Sequence, residues 1–189
     1  AYVGNLVGLY GAIDAGITTI LDWSHIQATR EHGDAVIKAL QESGLRAVFA
    51  YGYPAWKEAD ANQTTWICDL AKQYFSSKDQ LLTFALAPQG PEVTSLDVAK
   101  EQWTLARELG ARITVHVGVG ASGKQRKLAS MGKAGFLKED TTYVHCTTLS
   151  DEEIRMIADT GGTISISAPT EMMMGHGLPP IQRFIDHGL

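Results

Sequence analysis

Five apolar-periodic stretches of this sequence end on a single glycine that is followed at once by an extended run, and no other feature narrows the possible folds as far. Ala12-Ile13-Asp14-Ala15-Gly16 precedes Ile17–Asp22, and Leu40-Gln41-Glu42-Ser43-Gly44 precedes Leu45–Tyr51. Arg107-Glu108-Leu109-Gly110 precedes Ala111–Val117, and Ala158-Asp159-Thr160-Gly161 precedes Gly162–Ser167. The fifth, Phe184-Ile185-Asp186-His187-Gly188, is followed only by Leu189. The residue past the last turn of a helix often adopts the left-handed conformation that glycine tolerates at little cost. The pattern therefore predicts helix–strand alternation, in a chain that stops where another strand would start.

Patterning fills in the elements. Tyr2, Leu6, Leu9, Tyr10 and Ile13 share one helical face over residues 2–15, ahead of a β-branched strand at Ile17–Asp22. Asp34 is placed to cap a helix carrying Val36, Ile37 and Leu40, and Trp66, Ile67, Leu70 and Tyr74 mark a helix before Leu81–Ala87. Ser95 or Thr94 opens a helix reaching Leu109, before Arg112–Val117. A short basic helix near Lys124–Ala134 precedes Thr141–Cys146. Ser150-Asp151-Glu152-Glu153 spells a capping box, in which serine and glutamate serve each other's exposed amides. Thr163–Ser167 is the sixth strand, and Leu178–His187 a last helix. Seven helices thus alternate with six parallel strands in units of roughly 30 residues, an α/β chain. An open doubly wound sheet and a partial (β/α)8 barrel both fit. The helical start and the orphan Gly188-Leu189 favour the barrel, short of its first strand, eighth strand and eighth helix.

With 189 residues, 44% of them hydrophobic, one domain with a conventional core is expected. The net charge of −5 and the scattered lysines and arginines disfavour nucleic acid and anionic membrane surfaces as partners. The most apolar window, Leu6–Trp23, is interrupted by Asp14 and glycines, which argues against a membrane span. Cys68 and Cys146 are not closely spaced and read as reduced thiols, consistent with a cytoplasmic setting.

In either architecture the working face lies at the carboxyl ends of the strands, and polar residues gather there in nearly every unit. They are Asp22 and His25, Tyr51 and Tyr53, Gln89, His116, His145, and then Ser165, Ser167, Glu171 and His176. A histidine inside an apolar strand is unusual, because burial disfavours its charged form and both ring nitrogens need partners. Ile113-Thr114-Val115-His116-Val117 and Thr142-Tyr143-Val144-His145-Cys146 are consecutive strands of this kind. Neighbouring parallel strands lie about 4.8 Å apart, so the two imidazoles can converge on one ion or one substrate. A rival signal follows His116. Gly118-Val119-Gly120-Ala121-Ser122-Gly123 spells G-x-G-x-x-G, and Gly118 to Lys124 reads G-x-x-x-x-G-K, both phosphate-cradling patterns at a helix start. Gln125 stands where the phosphate loop needs a hydroxyl, and the dinucleotide pattern normally opens its fold rather than following three strands. A plain glycine-rich turn is the third reading.

At these residues the sequence resembles the amidohydrolase superfamily, in its branch of metal-dependent deaminases and chlorohydrolases. Gly11-Ala12-Ile13-Asp14-Ala15-Gly16-Ile17-Thr18-Thr19-Ile20-Leu21-Asp22, Ala87-Pro88-Gln89-Gly90-Pro91, and Val144-His145-Cys146-Thr147-Thr148-Leu149-Ser150 with the capping box carry the likeness. Ser165-Ile166-Ser167-Ala168-Pro169-Thr170-Glu171 followed by Gly175-His176-Gly177 extends it. The resemblance implies a divalent ion, zinc or iron, activating water against a ring carbon of a small heterocyclic substrate. It implies that His116 is a metal ligand and that His145 polarises substrate or water, binding a second metal in binuclear relatives. Gln89, Glu171 and His176 would line the substrate pocket.

The departures are as informative as the matches. The family's His-x-His pair on strand one and its aspartate on strand eight have no counterpart here, and Val119 occupies the place of a proton-shuttling glutamate. One or two histidines hold zinc weakly, so the chain by itself is expected to lack hydrolase activity and tight metal. A barrel without strands one and eight also leaves two apolar edges open, which predicts homo-oligomers.

Overall fold

The computed structural model describes residues 1–54, 62–77 and 79–189, which divide into two compact units, Ala1–Ala87 and Pro88–Leu189. In the first unit, α1 (Tyr2–Asp14), α2 (Arg30–Ser43) and α3 (Gln63–Tyr74) alternate with β1 (Thr19–Ser24), β2 (Arg46–Gly52) and β3 (Leu82–Ala87). The strands are parallel and adjacent in chain order, with Asp22 beside Phe49 and Phe49 beside Phe84. Alternation along each strand then gives two faces. Phe49 and Phe84 pack with Phe75, which follows α3, at ring separations of 6.1 and 5.1 Å. Ala50 and Ala85 share the other face with Trp23. Ile37, Leu40, Ile67 and Leu70 of the helices are almost wholly excluded from solvent, each contributing about 1.5–3 kcal/mol by burial.

Two expectations change in this unit. Asp34 does not cap α2; Thr29 precedes the helix, and Asp34 lies inside it, accepting a 2.8 Å hydrogen bond from the Tyr74 hydroxyl. The apolar face of α1 is only partly covered. Leu9 is buried, whereas Tyr10 and Ile13 are 49% and 41% exposed. Contact with α2 accounts for the covered part, where Tyr2 donates to Glu42 at 2.6 Å and lies beneath the Lys38 ammonium.

In the second unit, β4 (Arg112–Val117), β5 (Thr141–His145) and β6 (Thr163–Ser165) are again parallel and adjacent in order. Six helices accompany them: α4 (Leu96–Glu108), α5 (Gly120–Gly123), α6 (Lys127–Lys133), α7 (Asp151–Asp159), α8 (Ala168–Met173) and α9 (Ile181–Asp186). Register places Ile113, Val115, Val117, Tyr143 and Ile164 on one face, where Trp103 of α4 packs on Tyr143 at 6.4 Å. Thr114, His116, Thr142, Val144, Thr163 and Ser165 share the opposite face. This second face is largely polar, and Thr142 and Thr163 are hydrogen-bonded across it at 2.8 Å.

Helix ends follow the sequence closely, and helix number does not. Nine helices occur among the described residues, against seven expected. The basic helix foreseen near Lys124–Ala134 is α6, which starts only at Lys127 because Arg126 before it adopts a left-handed φ of 57°, and the preceding Gly120–Gly123 forms the unforeseen α5. The last helix begins at Ile181 rather than Leu178, and β6 stops at Ser165, so that residues 168–173 form the unforeseen α8. The capping box at Ser150 and Glu153 is complete. Glu153 is fully buried and also accepts from Arg126 (3.1 Å) and the Ala129 amide (3.3 Å), which is how a buried carboxylate is tolerated. No helix among the described residues is long and apolar enough to cross a membrane.

All five junction glycines have positive φ: Gly16 79°, Gly44 70°, Gly110 62°, Gly161 72° and Gly188 81°. Nothing lies within 4 Å of where a Cβ would sit at Gly44, so backbone conformation alone decides a substitution there. Gly44→Ala is expected to destabilise the chain by about 1 kcal/mol. Gly8→Ala, equally open but inside α1, is expected to stabilise it by about 0.5–1 kcal/mol. Denaturant unfolding of the two variants reads both signs.

Candidate active site

The register of β4 and β5 poses a problem for any site built from their histidines. His116 lies beside Val144, and His145 lies beside Val117. Regular pleating would therefore send the two imidazoles to opposite faces, with His145 turned toward the helices. The backbone prevents this. His145 has φ of 75°, and the amide of Cys146 donates to the Val144 carbonyl at 3.2 Å across it, closing a strained γ-turn around the histidine. Cys146 follows at φ 56°. The turn breaks the alternation, and the His145 ring lies stacked on His116, with centroids 4.9 Å apart and planes 17° apart.

His176, in the loop after α8, joins them edge-on, 4.8 Å from His145. Its Nδ1 is buried, and no hydrogen-bond partner is found for it among the described residues. Glu171 of α8 lies 3.0 Å from Nδ1 of His145 and is only 1% exposed. Both of its oxygens accept from the Ser167 amide at 2.9 Å. Burial pushes its pKa up, but the Ser167 amide and His145 more than offset this and hold the carboxyl below its ordinary value. The Thr147 hydroxyl lies 2.7 Å from the carbonyl oxygens of both Gly118 and His176, so one side chain ties together the segments following β4, β5 and α8.

The glycine-rich loop begins against a carboxylate of the chain itself. The amides of Gly118 and Val119 donate to the two oxygens of Glu92, at 2.7 and 3.4 Å, with the Ser122 hydroxyl 3.5 Å from the second. Glu92 is 8% exposed. Two of the loop's amides are thus already engaged by an anion that the chain itself supplies, which counts against Gly118–Lys124 as a nucleotide site. Burial pushes the Glu92 carboxyl above its ordinary value, although the Gly118 and Val119 amides oppose the shift. The Gly118 carbonyl is gripped as well, by the Thr148 amide at 2.9 Å. Gly118 itself has φ of 67°, and a Cβ there would meet the Cα of Cys146 at 2.9 Å.

The remaining candidates are placed as follows. Gln89 faces Gln102 of α4, its amide donating to that side chain at 2.8 Å and its own oxygen accepting at 3.4 Å. Ser165 ends β6 on the His116 face, and Ser167 precedes α8. In the first unit Tyr51 and Tyr53 are buried ring to ring at 6.2 Å. Asp22 shares the Phe49 face and lines a cavity of about 320 Å³ with Asn5 of α1, His32 and Val36 of α2, and His25. The sequence reading missed Glu92 and Thr147. Among the described residues no group of three or more histidine, cysteine, aspartate or glutamate side chains is arranged to hold an ion.

Asp22 generates a stability prediction. Burial pushes its carboxyl from 3.8 up to about 6, opposed by a hydrogen bond from Ser24, and no partner is found for Oδ2 among the described residues. Between those two values the folded chain keeps a proton that the unfolded chain has released, so stability falls as pH rises through the window. The loss approaches roughly 2–3 kcal/mol above pH 6. Asp22→Asn is expected to flatten that segment of the pH–stability curve, measured by urea unfolding between pH 4 and 7.

The chain is 26% identical over 188 residues to the 5'-deoxyadenosine deaminase of Methanopyrus kandleri, covering 94% of this chain and 42% of that protein. It is 28% identical over 200 residues to the 5-methylthioadenosine/S-adenosylhomocysteine deaminase of Thermococcus onnurineus, covering 99% and 45%. Its fold superposes on atrazine chlorohydrolase TrzN of Arthrobacter aurescens TC1, complexed with zinc and atraton, with TM-score 0.78 at 20% identity, covering 98% of this chain and 46% of that one. An adenosine deaminase of Xanthomonas campestris with bound zinc gives 0.79 at 19% identity, covering 99% and 44%. The chain spans somewhat under half the length of each. That likeness, together with parallel strands in chain order within each unit, makes the fold a partial (β/α)8 barrel rather than an open doubly wound sheet. The amidohydrolase family model matches residues 1–189, and the chain belongs to that family.

Proposed function

We propose that this chain is part of a metal-dependent hydrolase that cleaves an exocyclic C–N bond of a small heterocycle, an adenosine-type purine being the best-supported substrate class. The observation that carries the reading is the γ-turn that brings the His145 ring onto His116 with Glu171 behind it. The chemistry of the donors fits a divalent ion in part. His116 offers an imidazole, and His145 has the carboxylate–histidine arrangement that commonly backs a metal-facing ring. With the His145 lone pair kept for proton transfer, His116 is one protein ligand where catalytic zinc sites commonly have three. When bound, zinc or iron makes hydroxide available from water near neutral pH.

In this reading His116 would be an ion ligand, and His145 is the group that accepts a proton from the attacking water at Nε2. Val119 is apolar, and the nearby carboxylate of Glu92 is engaged by backbone amides. Water adds to the ring carbon bearing the amino group, the C–N bond breaks, and ammonia leaves with the proton. The deaminase names of the curated relatives support amine as the leaving group, and the triazine enzyme supports tolerance of other leaving groups within the fold.

In the full-length protein, His116→Ala and His145→Ala are each expected to lower kcat about 10²-fold or more. The assay follows ammonia release from 5'-deoxyadenosine and 5-methylthioadenosine, with bound metal quantified in parallel. Undiminished turnover in both variants would sink the reading. The 189-residue chain alone is expected to carry substoichiometric zinc after dialysis.

Open sheet edges support self-association. Among the described residues β1 pairs only with β2, and Ile17 and Leu21 near that edge are 44% and 45% exposed. Sedimentation velocity of the isolated chain is expected to give dimers or larger species, and a concentration-independent monomer would refute this.

A further inference from the structure

We infer that Glu171 is a positioning residue, which fixes His145 in the tautomer protonated at Nδ1 and so leaves the lone pair on Nε2. The inference rests on the functional reading above, which makes His145 a working group, and it assigns Glu171 a place other than the substrate pocket. Three observations carry it. Glu171 is 1% exposed, so solvent does not compete for its oxygens. Both oxygens are anchored by the Ser167 amide, and Oε1 lies 3.0 Å from Nδ1 of His145. An ionised carboxylate only accepts hydrogen bonds, so the ring nitrogen facing it must carry the proton. The depressed pKa of Glu171 agrees with the ionised form.

The ring is also held against turning over. His116 stacks on it and His176 stands edge-on to it, at 4.9 and 4.8 Å. A half-turn of the imidazole would replace Nδ1 with a carbon opposite Glu171 and forfeit the bond. The carboxylate is itself locked, because the Glu171 amide donates to the Ser167 carbonyl at 3.0 Å while the Ser167 amide donates back to the side chain. The carboxylate is thus the common acceptor, taking hydrogen bonds from the Ser167 amide on one side and from the imidazole on the other.

The test is long-range ¹H–¹⁵N correlation of the histidine rings in the ¹⁵N-labelled 189-residue chain, at a pH where the His145 ring is neutral. In the unsubstituted chain His145 is expected to show a protonated-type Nδ1 and a bare-type Nε2. Glu171→Met, of similar length but without an acceptor, is expected to lose that pattern, with the proton moving to Nε2. Glu171→Gln retains an acceptor and is expected to preserve it. An unsubstituted chain with the proton on Nε2 overturns the inference, and that measurement needs no variant to fold. An unchanged tautomer in Glu171→Met overturns it too. Neither readout involves turnover, so loss of the hydrolase reading through the alanine variants and loss of this inference are separate results.

Discussion

The site depends on two consecutive residues, neither of them glycine, held in left-handed backbone conformation. His145 and Cys146 have φ of 75° and 56°, a conformation that costs an L-residue on the order of 1–3 kcal/mol. Without it, the hydrogen-bond register of β5 against β4 would bury the His145 imidazole on the Trp103 side of the sheet, away from His116. Strand pairing alone therefore cannot make this histidine pair. A local violation of strand geometry makes it.

The strain persists because the surroundings over-determine it. The Cys146 amide donates to the Val117 carbonyl at 3.0 Å as well as to Val144, which pins the turn to the neighbouring strand. One step further on, Gly118 is held from both directions: its amide by Glu92, its carbonyl by Thr147 and Thr148. Each bond of this kind contributes about 1 kcal/mol net, and bonds to charged groups about 1.5–3 kcal/mol. A handful of them is enough to offset two strained residues. The same bonds tie the segment after His116 to the segment after His145, so the arrangement that stores the strain also fixes the spacing of the imidazoles.

The alternation of helix and strand was legible in the sequence because its signal is local. A helix that reverses into a strand often does so through a left-handed residue, and Gly16, Gly44, Gly110 and Gly161 announce four of these junctions. The capping box at Ser150 was legible for the same reason. Asp34 misled because a cap is defined by where the helix begins, and α2 begins four residues earlier. The prominence of His116 and His145 could be read from their apolar strands. Their meeting was expected from strand spacing, but the way it is reached was not legible, since it depends on a one-residue register offset and a turn that corrects it. Glu92 was invisible for another reason: its partners are backbone amides 26 and 27 residues away, and amides carry no sequence signature.

Glu92 also explains how amides of a phosphate motif can be engaged without a phosphate. Amides converging after a strand attract negative charge whether it arrives on a ligand or on a side chain. Here the carboxylate is built in, and Glu92, Glu153 and Glu171 all surround the buried Cys146. Its thiol is pushed well above its ordinary pKa, first by burial and then by those three carboxylates. Burial in apolar or acidic surroundings disfavours the thiolate. Of the two side chains in the left-handed turn, the imidazole is the one that the turn redirects to the polar face, while the thiol stays buried. The acidic groups behind the turn thus do two jobs: Glu92 holds the backbone in place, and Glu171 meets the ring that the backbone delivers.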